Sequence, residues 1–472
     1  MSGNFSFFDR LFGLHLVNAE DNDSISDMYR QLITIAWPAA LEGLLLSLMN
    51  SFDTMMVGRL GPAAIASVGL CSQPRMILLL VAQALCVGTT AVVARRKGED
   101  RQDSAVSCLK QSLAIITMIG ILITLAGVFG ANFLVRLAGA SAETEANAAL
   151  YFRIISMAFL FNCWSLCICA GQRGIGQTRV TMVVNMTANI VNVFLNYCLI
   201  QGHFGFPALG VKGAAIATAI GTMVSFLMAL RAVLKPGYLS LRHFGGFAFD
   251  RQTVESLIHV GGGTIAESVF MRVGFLINSR LIAGVGTAAY ACNQIVMQVT
   301  GLAFTIGDGT ASACTSLVGQ SLGAGKKEKA KLYVKVVLRV SAVISIAIIL
   351  FTFFGRNILP ALFTDDMIIR SMVTLCFMVL LIGIFPQNLR VIYSGCLRGA
   401  GDVRFVAVVS LISVLILRPL ATWLFCYPIN GMFPGMNFGF TGPWISFVLD
   451  AFVRAGMLVV RVNKGRWVNI RL

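Results

Sequence analysis

Two carboxylates stand inside one long apolar stretch near the start of the sequence. The stretch runs from Gln31 to Gly58 and contains only two charged residues, Glu42 and Asp53. As a helix its 28 residues would extend roughly 42 Å, more than the roughly 30 Å hydrocarbon core of a bilayer. The two carboxylates would share one helix face, about 16 Å apart. Because a carboxylate at membrane depth is costly, both are functional candidates; the alternative is a pair of structural acids neutralised by arginines.

A row of asparagines marks another apolar stretch, near residues 178–201. Asn185, Asn189, Asn192 and Asn196 follow spacings of four, three and four residues, which places them on one helix face. Amide oxygens and a carboxylate are hard ligands that suit Na⁺, and a carboxyl group in apolar surroundings can equally hold a proton. The alternative is that these amides bond neighbouring helices together.

Further ionisable residues fall within apolar stretches of the second half. Arg272, five residues after Glu267, is a candidate partner for that carboxylate. Asp308 is a candidate for binding substrate or a proton, or for a structural role. Asp450 and Arg454 are spaced i, i+4, which predicts a local ion pair.

The sequence has no constellation for catalysis, ATP hydrolysis or metal ligation by cysteine. The 12 cysteines lie mostly within apolar stretches, without metal-ligand spacing. The segment Gly319–Lys327 (GQSLGAGKK) lacks the Ser or Thr that follows Gly-Lys in a phosphate-binding loop. We therefore expect a protein that is not an enzyme and needs no cofactor beyond a coupling ion.

Composition identifies the elements that position these residues. Hydrophobic residues make up 57% of the chain and charged residues 12%, against about 25% charged in soluble domains. This predicts an all-α polytopic membrane protein embedded in the lipid bilayer. Twelve spans are expected near 31–58, 62–93, 105–135, 145–171, 178–201, 209–233, 255–284, 287–318, 331–356, 368–396, 403–427 and 440–462. The corresponding domains are a leader (1–30), two six-helix lobes (31–233 and 254–463), a linker (234–253) and a tail (464–472).

The loops between these spans predict the orientation. Basic residues concentrate in alternate loops, so the net charge of +16 does not indicate a nucleic-acid partner. The richest of these loops carry Arg95, Arg96 and Lys97, and Lys326, Lys327, Lys329 and Lys331. By the positive-inside rule both termini are cytoplasmic, in a multi-pass protein of the plasma (inner) membrane.

The two lobes are copies of one unit. Adding 225 to a residue number in the first copy returns similar residues, as in Arg173–Arg179 (RGIGQTR) and Arg398–Arg404 (RGAGDVR). Six spans per copy give both copies the same orientation, so a pseudo-two-fold axis along the membrane normal is expected. Duplicated bundles of this kind suit alternating access around a central site.

Comparison of the two copies predicts different roles for Glu42 and Asp53. Glu42 corresponds to Glu267, which suggests a role shared by both copies, either as substrate contacts for a cation or as structural acids. Asp53 corresponds to Asn278, and the asparagine row has no polar counterpart beyond one serine. Ion coupling is therefore expected in the first lobe, at Asp53.

Several segments resemble the multidrug and toxic compound extrusion (MATE) transporters of the bacterial type. They are PAALEGLLLSLMNSFDTMMVGRLGPAAIASVGL in the first span, LGVKGAAIAT, LVGQSLGAGKKEKA and CLRGAGDVR. The resemblance implies a twelve-helix, two-lobed antiporter that exports organic compounds against Na⁺ or H⁺ entry. By the same resemblance Asp53 matches the coupling aspartate, Asn192 and Asn196 match fifth-helix positions of a cation site, and Thr218 matches a sixth-helix hydroxyl of that site.

The sequence thus predicts a monomeric antiporter that exports drugs or organic cations by alternating access. If the coupling ion is Na⁺, its predicted ligands are Asp53, Asn192 and Asn196. The candidates for the substrate cavity are Glu42, Glu267, Arg272 and Asp308. The alternative is a flippase for lipid-linked precursors from the same superfamily, which would need a strongly cationic cavity.

Overall fold

The computed structural model describes residues 24–242, 250–427 and 438–470. Across these ranges the protein is almost entirely helical and has no β-strand, which confirms the predicted all-α class. Most of the predicted leader (1–30), part of the linker (234–253) and the end of the tail (464–472) lie outside the described residues.

From residue 24 onward, where the description of the chain begins, the first repeat contains eight α-helices. The long first helix, α1, includes Pro38 within its span and continues through it. The bounds are α1 Ile25–Gly58, α2 Pro62–Gly98, α3 Gln102–Phe129, α4 Ala131–Leu137, α5 Ala142–Met157, α6 Phe159–Gly174, α7 Thr178–Gln201 and α8 Val211–Leu234.

The described residues of the second repeat also form eight α-helices, with a π-helical stretch at Leu411–Leu417 between two of them. The bounds are α9 Arg251–Val285, α10 Thr287–Gly323, α11 Lys327–Gly355, α12 Ile358–Ala361, α13 Met367–Ala400, α14 Val403–Ser410, α15 Arg418–Cys426 and α16 Gly442–Asn463. Short 3₁₀ turns stand at His203–Gly205, Gly439–Thr441 and Arg466–Asn469.

The described helices form six long segments per repeat, as the sequence predicts. The helices α5 and α6 act as one segment bent by 48°, and α14 continues through the π-helical stretch into α15. Among the described residues, nine segments are long and apolar enough to cross a membrane, and the bent pair makes a tenth. The six long segments of each repeat together give the twelve helices that the sequence predicts.

The repeat in the sequence is also a repeat in the structure. Both α2 and α10 contain 37 residues, and their first residues, Pro62 and Thr287, are 225 positions apart. The starts of α3 and α11 keep the same offset, as do those of α7 and α14. The helix boundaries follow the duplicated loop motifs because glycines stand at matching helix ends, as at Gly61 and Gly286 and at Gly98 and Gly323.

Internal contacts divide the chain into two compact units. The first unit is Leu41–Gly262, and the second is Met1–Ala40 together with Gly263–Leu472. In the first unit, Leu109, Phe152 and Phe159 are fully buried core residues; in the second, Leu32 at the start of α1 joins the core around Tyr333. The part of α1 that carries Glu42 and Asp53 belongs to the first unit.

Candidate functional site

The carboxylate of Asp53 is held by two asparagines of α7. The Asn196 side-chain nitrogen donates to Oδ1 of Asp53 at 2.8 Å. With the Asn192 amide oriented so that both of its ends are satisfied, its nitrogen lies 2.9 and 3.1 Å from the two Asp53 oxygens. Its oxygen then accepts from the backbone N–H of Thr218 at 3.1 Å. The structure thus brings together all four residues that were predicted to form the ion site.

Two oxygens beside Asp53 remain available for a cation. The buried Oδ1 of Asn196 has no hydrogen-bond partner among the described residues. The hydroxyl of Thr218 donates to the Ala214 carbonyl at 2.9 Å, so its lone pairs can still accept. As arranged, the amides present N–H groups to a free carboxylate; rotation of either amide would present an oxygen to a hard cation. The arrangement can therefore accept either a proton or Na⁺.

The other predicted carboxylate of α1 is bound by the same helix α7. Glu42 accepts from the Asn185 amide at 2.6 Å and from the Thr181 hydroxyl at 2.9 Å. The pairs Glu42–Asn185 and Asp53–Asn196 have the same sequence separation of 143. The helices α1 and α7 are therefore parallel and in register across both carboxylates. Three asparagines of the row are thus partners of the two acids, whereas Asn189 donates to the Asn185 carbonyl.

Two adjoining cavities, of about 590 Å³ and about 480 Å³, have Asp53 in their walls. Both lie within the range of roughly 300–1,000 Å³ that is typical of small-molecule sites. The larger cavity has a mostly apolar wall that includes Val57, Ile65 and Leu79. The smaller also has Glu42 in its wall. The first unit thus contains a drug-sized space that borders the predicted ion site.

Sequence reasoning missed two charged residues and one phenol of these cavities. Arg75 lines both cavities and attracts the Asp53 carboxylate. Arg173 lines the smaller cavity together with Glu42, and Tyr151 lines the larger. The available signal for Arg75 was its position within an otherwise apolar predicted span, since such charges mark functional sites.

The second unit places Glu267 and Asp308 around one arginine. Glu267 accepts from Nη2 of Arg398 at 2.7 and 2.9 Å, and Arg390 and Arg398 both attract Asp308. The prediction that Arg272 pairs with Glu267 was wrong about the partner. Residues five apart on a helix are rotated by about 140° from each other, unlike the i, i+3 and i, i+4 pairs that share a face.

Two further sequence predictions can be compared with the second unit. Asp450 and Arg454 form the predicted ion pair, at 2.5 Å and fully buried. Asn278, the counterpart of Asp53, accepts from the Thr422 hydroxyl at 2.6 Å. A neutral hydrogen bond therefore occupies the position that holds a carboxylate in the first unit.

With the geometry established, the comparisons with known proteins decide the family. The MatE family model matches residues 38–198 and 264–424, which together exceed half of the chain. The chain belongs to the MatE family. Its two matches are equal in length, so the family model is itself the unit of the repeat. The first match contains both Asp53 and Asn196.

Similar proteins of this family cover nearly the whole chain. "Probable multidrug resistance protein NorM" of Thermotoga maritima is 27% identical, over 94% of each chain. "Multidrug resistance protein MdtK" of Edwardsiella ictaluri is 26% identical, over 93% of this chain and 95% of its own. A solved outward-facing structure of a multidrug resistance MATE family transporter has a TM-score of 0.85 at 21% identity, over 93% of this chain and 96% of that one. The chain is thus a multi-pass membrane transporter with the MATE fold.

Proposed function

We propose that this MatE-family protein is a secondary antiporter that exports drugs or organic cations in exchange for H⁺ or Na⁺. The observation that carries the proposal is the Asp53 carboxylate, bound by Asn192 and Asn196 at the wall of a cavity of about 590 Å³. A group that binds a small cation therefore borders a space that fits an organic substrate. The multidrug resistance names of the similar proteins support the substrate class.

Exchange follows from competition within the first unit. An organic cation in the cavity is stabilised by the charge of Asp53, and a proton or Na⁺ at Asp53 removes that charge. Binding of the coupling cation therefore weakens substrate binding, and loss of the cation restores it. Movement of α1 around Pro38 and Gly43, beside the boundary of the two units at Ala40, is the proposed way in which occupancy of Asp53 alters the cavity.

The proposed setting is the plasma (inner) membrane, with both termini in the cytoplasm. The alternation of basic loops supports this orientation. Since Asp53, Asn192, Asn196 and Thr218 all belong to the first unit, one chain supplies the complete ion site. We propose that the protein works as a monomer.

The charges of the cavities favour this function over the flippase alternative. Glu42 and Asp53 line the smaller cavity together with Arg75 and Arg173. Two acids and two arginines balance, whereas recognition of a pyrophosphate group calls for an excess of positive charge. The first unit offers no such excess at these cavities.

The test uses the full-length protein in proteoliposomes, with ethidium as substrate. Export is measured under an imposed pH gradient and, separately, under an imposed Na⁺ gradient. Asp53→Asn is expected to abolish ethidium movement driven by either gradient, because a neutral amide cannot take up the cation. Ethidium export by Asp53→Asn at the wild-type rate would overturn the proposal. A gradient of only one cation driving the wild-type protein would identify the coupling ion.

A further inference from the structure

Glu42 is a buried carboxylate for which the proposed function has no use. Its side chain is 6% exposed, and its partners Thr181 and Asn185 are both neutral donors. In the described part of the chain no cation lies within ion-pair distance of it. Burying an ionised carboxylate without a bound counter-charge is costly. Glu42 therefore has the character of a site that takes a cation.

The repeat provides an internal comparison. Glu267, the counterpart of Glu42, is similarly buried at 3% exposure but accepts two hydrogen bonds from Arg398. The residue that corresponds to Arg398 is Arg173, which lines the cavity beside Glu42 and donates to the Cys169 carbonyl at 3.4 Å. Among the described residues, Glu42 accepts hydrogen bonds from Thr181 and Asn185 alone. In the second unit, Glu267 thus has an arginine as its counter-charge, as a structural acid does. In the first unit, Glu42 lines the cavity instead.

A polar surface joins Glu42 to Asp53. Both line the cavity of about 480 Å³, and the register of α1 and α7 gives each carboxylate an asparagine partner. Between them the cavity wall carries Asn189, Thr222 and Ser225. The 11 residues from Glu42 to Asp53 correspond to about 16 Å along α1. A hydrated cation or a chain of waters has polar partners over this distance.

The charge balance of the cavity permits transfer between the two carboxylates. Its charged residues are Glu42, Asp53, Arg75 and Arg173, so one added cation gives a net charge of +1 whichever carboxylate holds it. Moving that cation from one acid to the other changes no net charge within the first unit. The transfer therefore avoids the electrostatic cost of creating a second uncompensated charge.

We propose that Glu42 is a second binding site for the coupling cation, which passes from Asp53 to Glu42 along the α1–α7 face before it leaves the first unit. The inference rests on the proposed function, since it takes Asp53 as the site of entry. With the cytoplasmic N-terminus proposed above, Glu42 lies on the inner side of Asp53. Glu42 thus serves release to the cytoplasm.

The test separates cation binding from cation transfer. Purified full-length protein is assayed for displacement of bound ethidium by protons and by Na⁺, and the same variants are assayed for gradient-driven ethidium transport in proteoliposomes. Glu42→Gln is expected to keep the cation-dependent displacement, because Asp53 is intact, and to slow gradient-driven transport by at least about tenfold. Glu42→Asp is expected to restore most of the rate.

Matched variants distinguish transfer from a structural role. Thr181→Val removes one hydrogen bond of Glu42 but keeps the carboxylate, so it should transport ethidium faster than Glu42→Gln does, even though the lost bond shifts the cation affinity of Glu42. Transport by Glu42→Gln at the wild-type rate would overturn the second site. So would loss of displacement in Glu42→Gln, since Glu42 would then belong to a single site with Asp53, and so would an equal loss of transport in Thr181→Val. If Asp53→Asn keeps both displacement and transport, the proposed function itself fails, independently of Glu42.

Discussion

Replacing Asn196 by leucine tests the ion site and distinguishes its two possible ions. Leucine has nearly the shape of asparagine but neither donates nor accepts a hydrogen bond. The change removes the 2.8 Å bond from Asn196 to the Asp53 carboxylate and also removes the unpartnered Oδ1 of Asn196. The first loss removes a hydrogen bond that stabilises the free carboxylate. The second removes an oxygen that could bind a metal cation beside it.

The expected magnitude follows from the type of bond. A hydrogen bond to a charged group contributes about 1.5–3 kcal/mol, and every 1.4 kcal/mol corresponds to about tenfold in affinity. Without Asn196 the free carboxylate loses this stabilisation, so a proton should bind Asp53 about 10- to 100-fold more tightly. Na⁺ should instead bind more weakly, since it loses one of the oxygen ligands that the site can offer.

The assay is displacement of ethidium from the purified protein, titrated with protons at fixed Na⁺ and with Na⁺ at fixed pH. A proton-coupled protein should need about 10- to 100-fold fewer protons for half-displacement in Asn196→Leu. A Na⁺-coupled protein should need more Na⁺. The same substitution at Asn189 is the matched control, because that amide donates to the Asn185 carbonyl at 2.7 Å and has no bond to Asp53. Equal midpoints for wild type, Asn196→Leu and Asn189→Leu, for both cations, would refute the reasoning.

Two further predictions concern stability. Arg454→Met leaves the buried Asp450 without its 2.5 Å ion-pair partner and should lower the free energy of unfolding by about 3–5 kcal/mol, measured as a lower melting temperature in detergent. Adding Asp450→Asn should recover part of the lost stability. An Arg454→Met variant as stable as wild type would contradict the importance of the ion pair. Asp250 precedes α9 and accepts hydrogen bonds from the hydroxyl and the backbone N–H of Thr253 at 2.5 and 3.1 Å. These bonds, chiefly the one from the hydroxyl, hold the pKa of Asp250 below its ordinary value. Asp250→Ala should therefore cost about 0.5–2 kcal/mol near pH 7. That difference should shrink as the pH falls below about 4, because the folded-state pKa is depressed and its stabilisation is lost on protonation; a difference independent of pH would contradict the cap.

The sequence predicted the partner of a residue correctly where the two residues are close in the chain, and failed where they are far apart. Asp450 and Arg454 are one turn apart on a single helix, so the sequence was sufficient to predict their ion pair, which the structure confirms. Glu267 takes its partner from α13, 131 residues away, and sequence proximity to Arg272 gave the wrong partner. Arg75 lies within an apolar predicted span, which was a signal, but only the structure shows the cavity that it shares with Asp53.

The sequence by itself determined the helical membrane class, the duplication with its offset of 225, and the one-sided pattern of acid and amides in the first copy. These features are local or periodic: apolar length sets the spans, and a repeat returns its own residues. Only the tertiary structure decided that α7 lies beside α1, in the register that joins Asn196 to Asp53 and Asn185 to Glu42. The spacing of 11 residues is present in both helices, but periodicity places residues on a face and does not choose the helix that this face meets. That choice depends on the packing of the whole first unit, and it decided which carboxylate is bound by which amide.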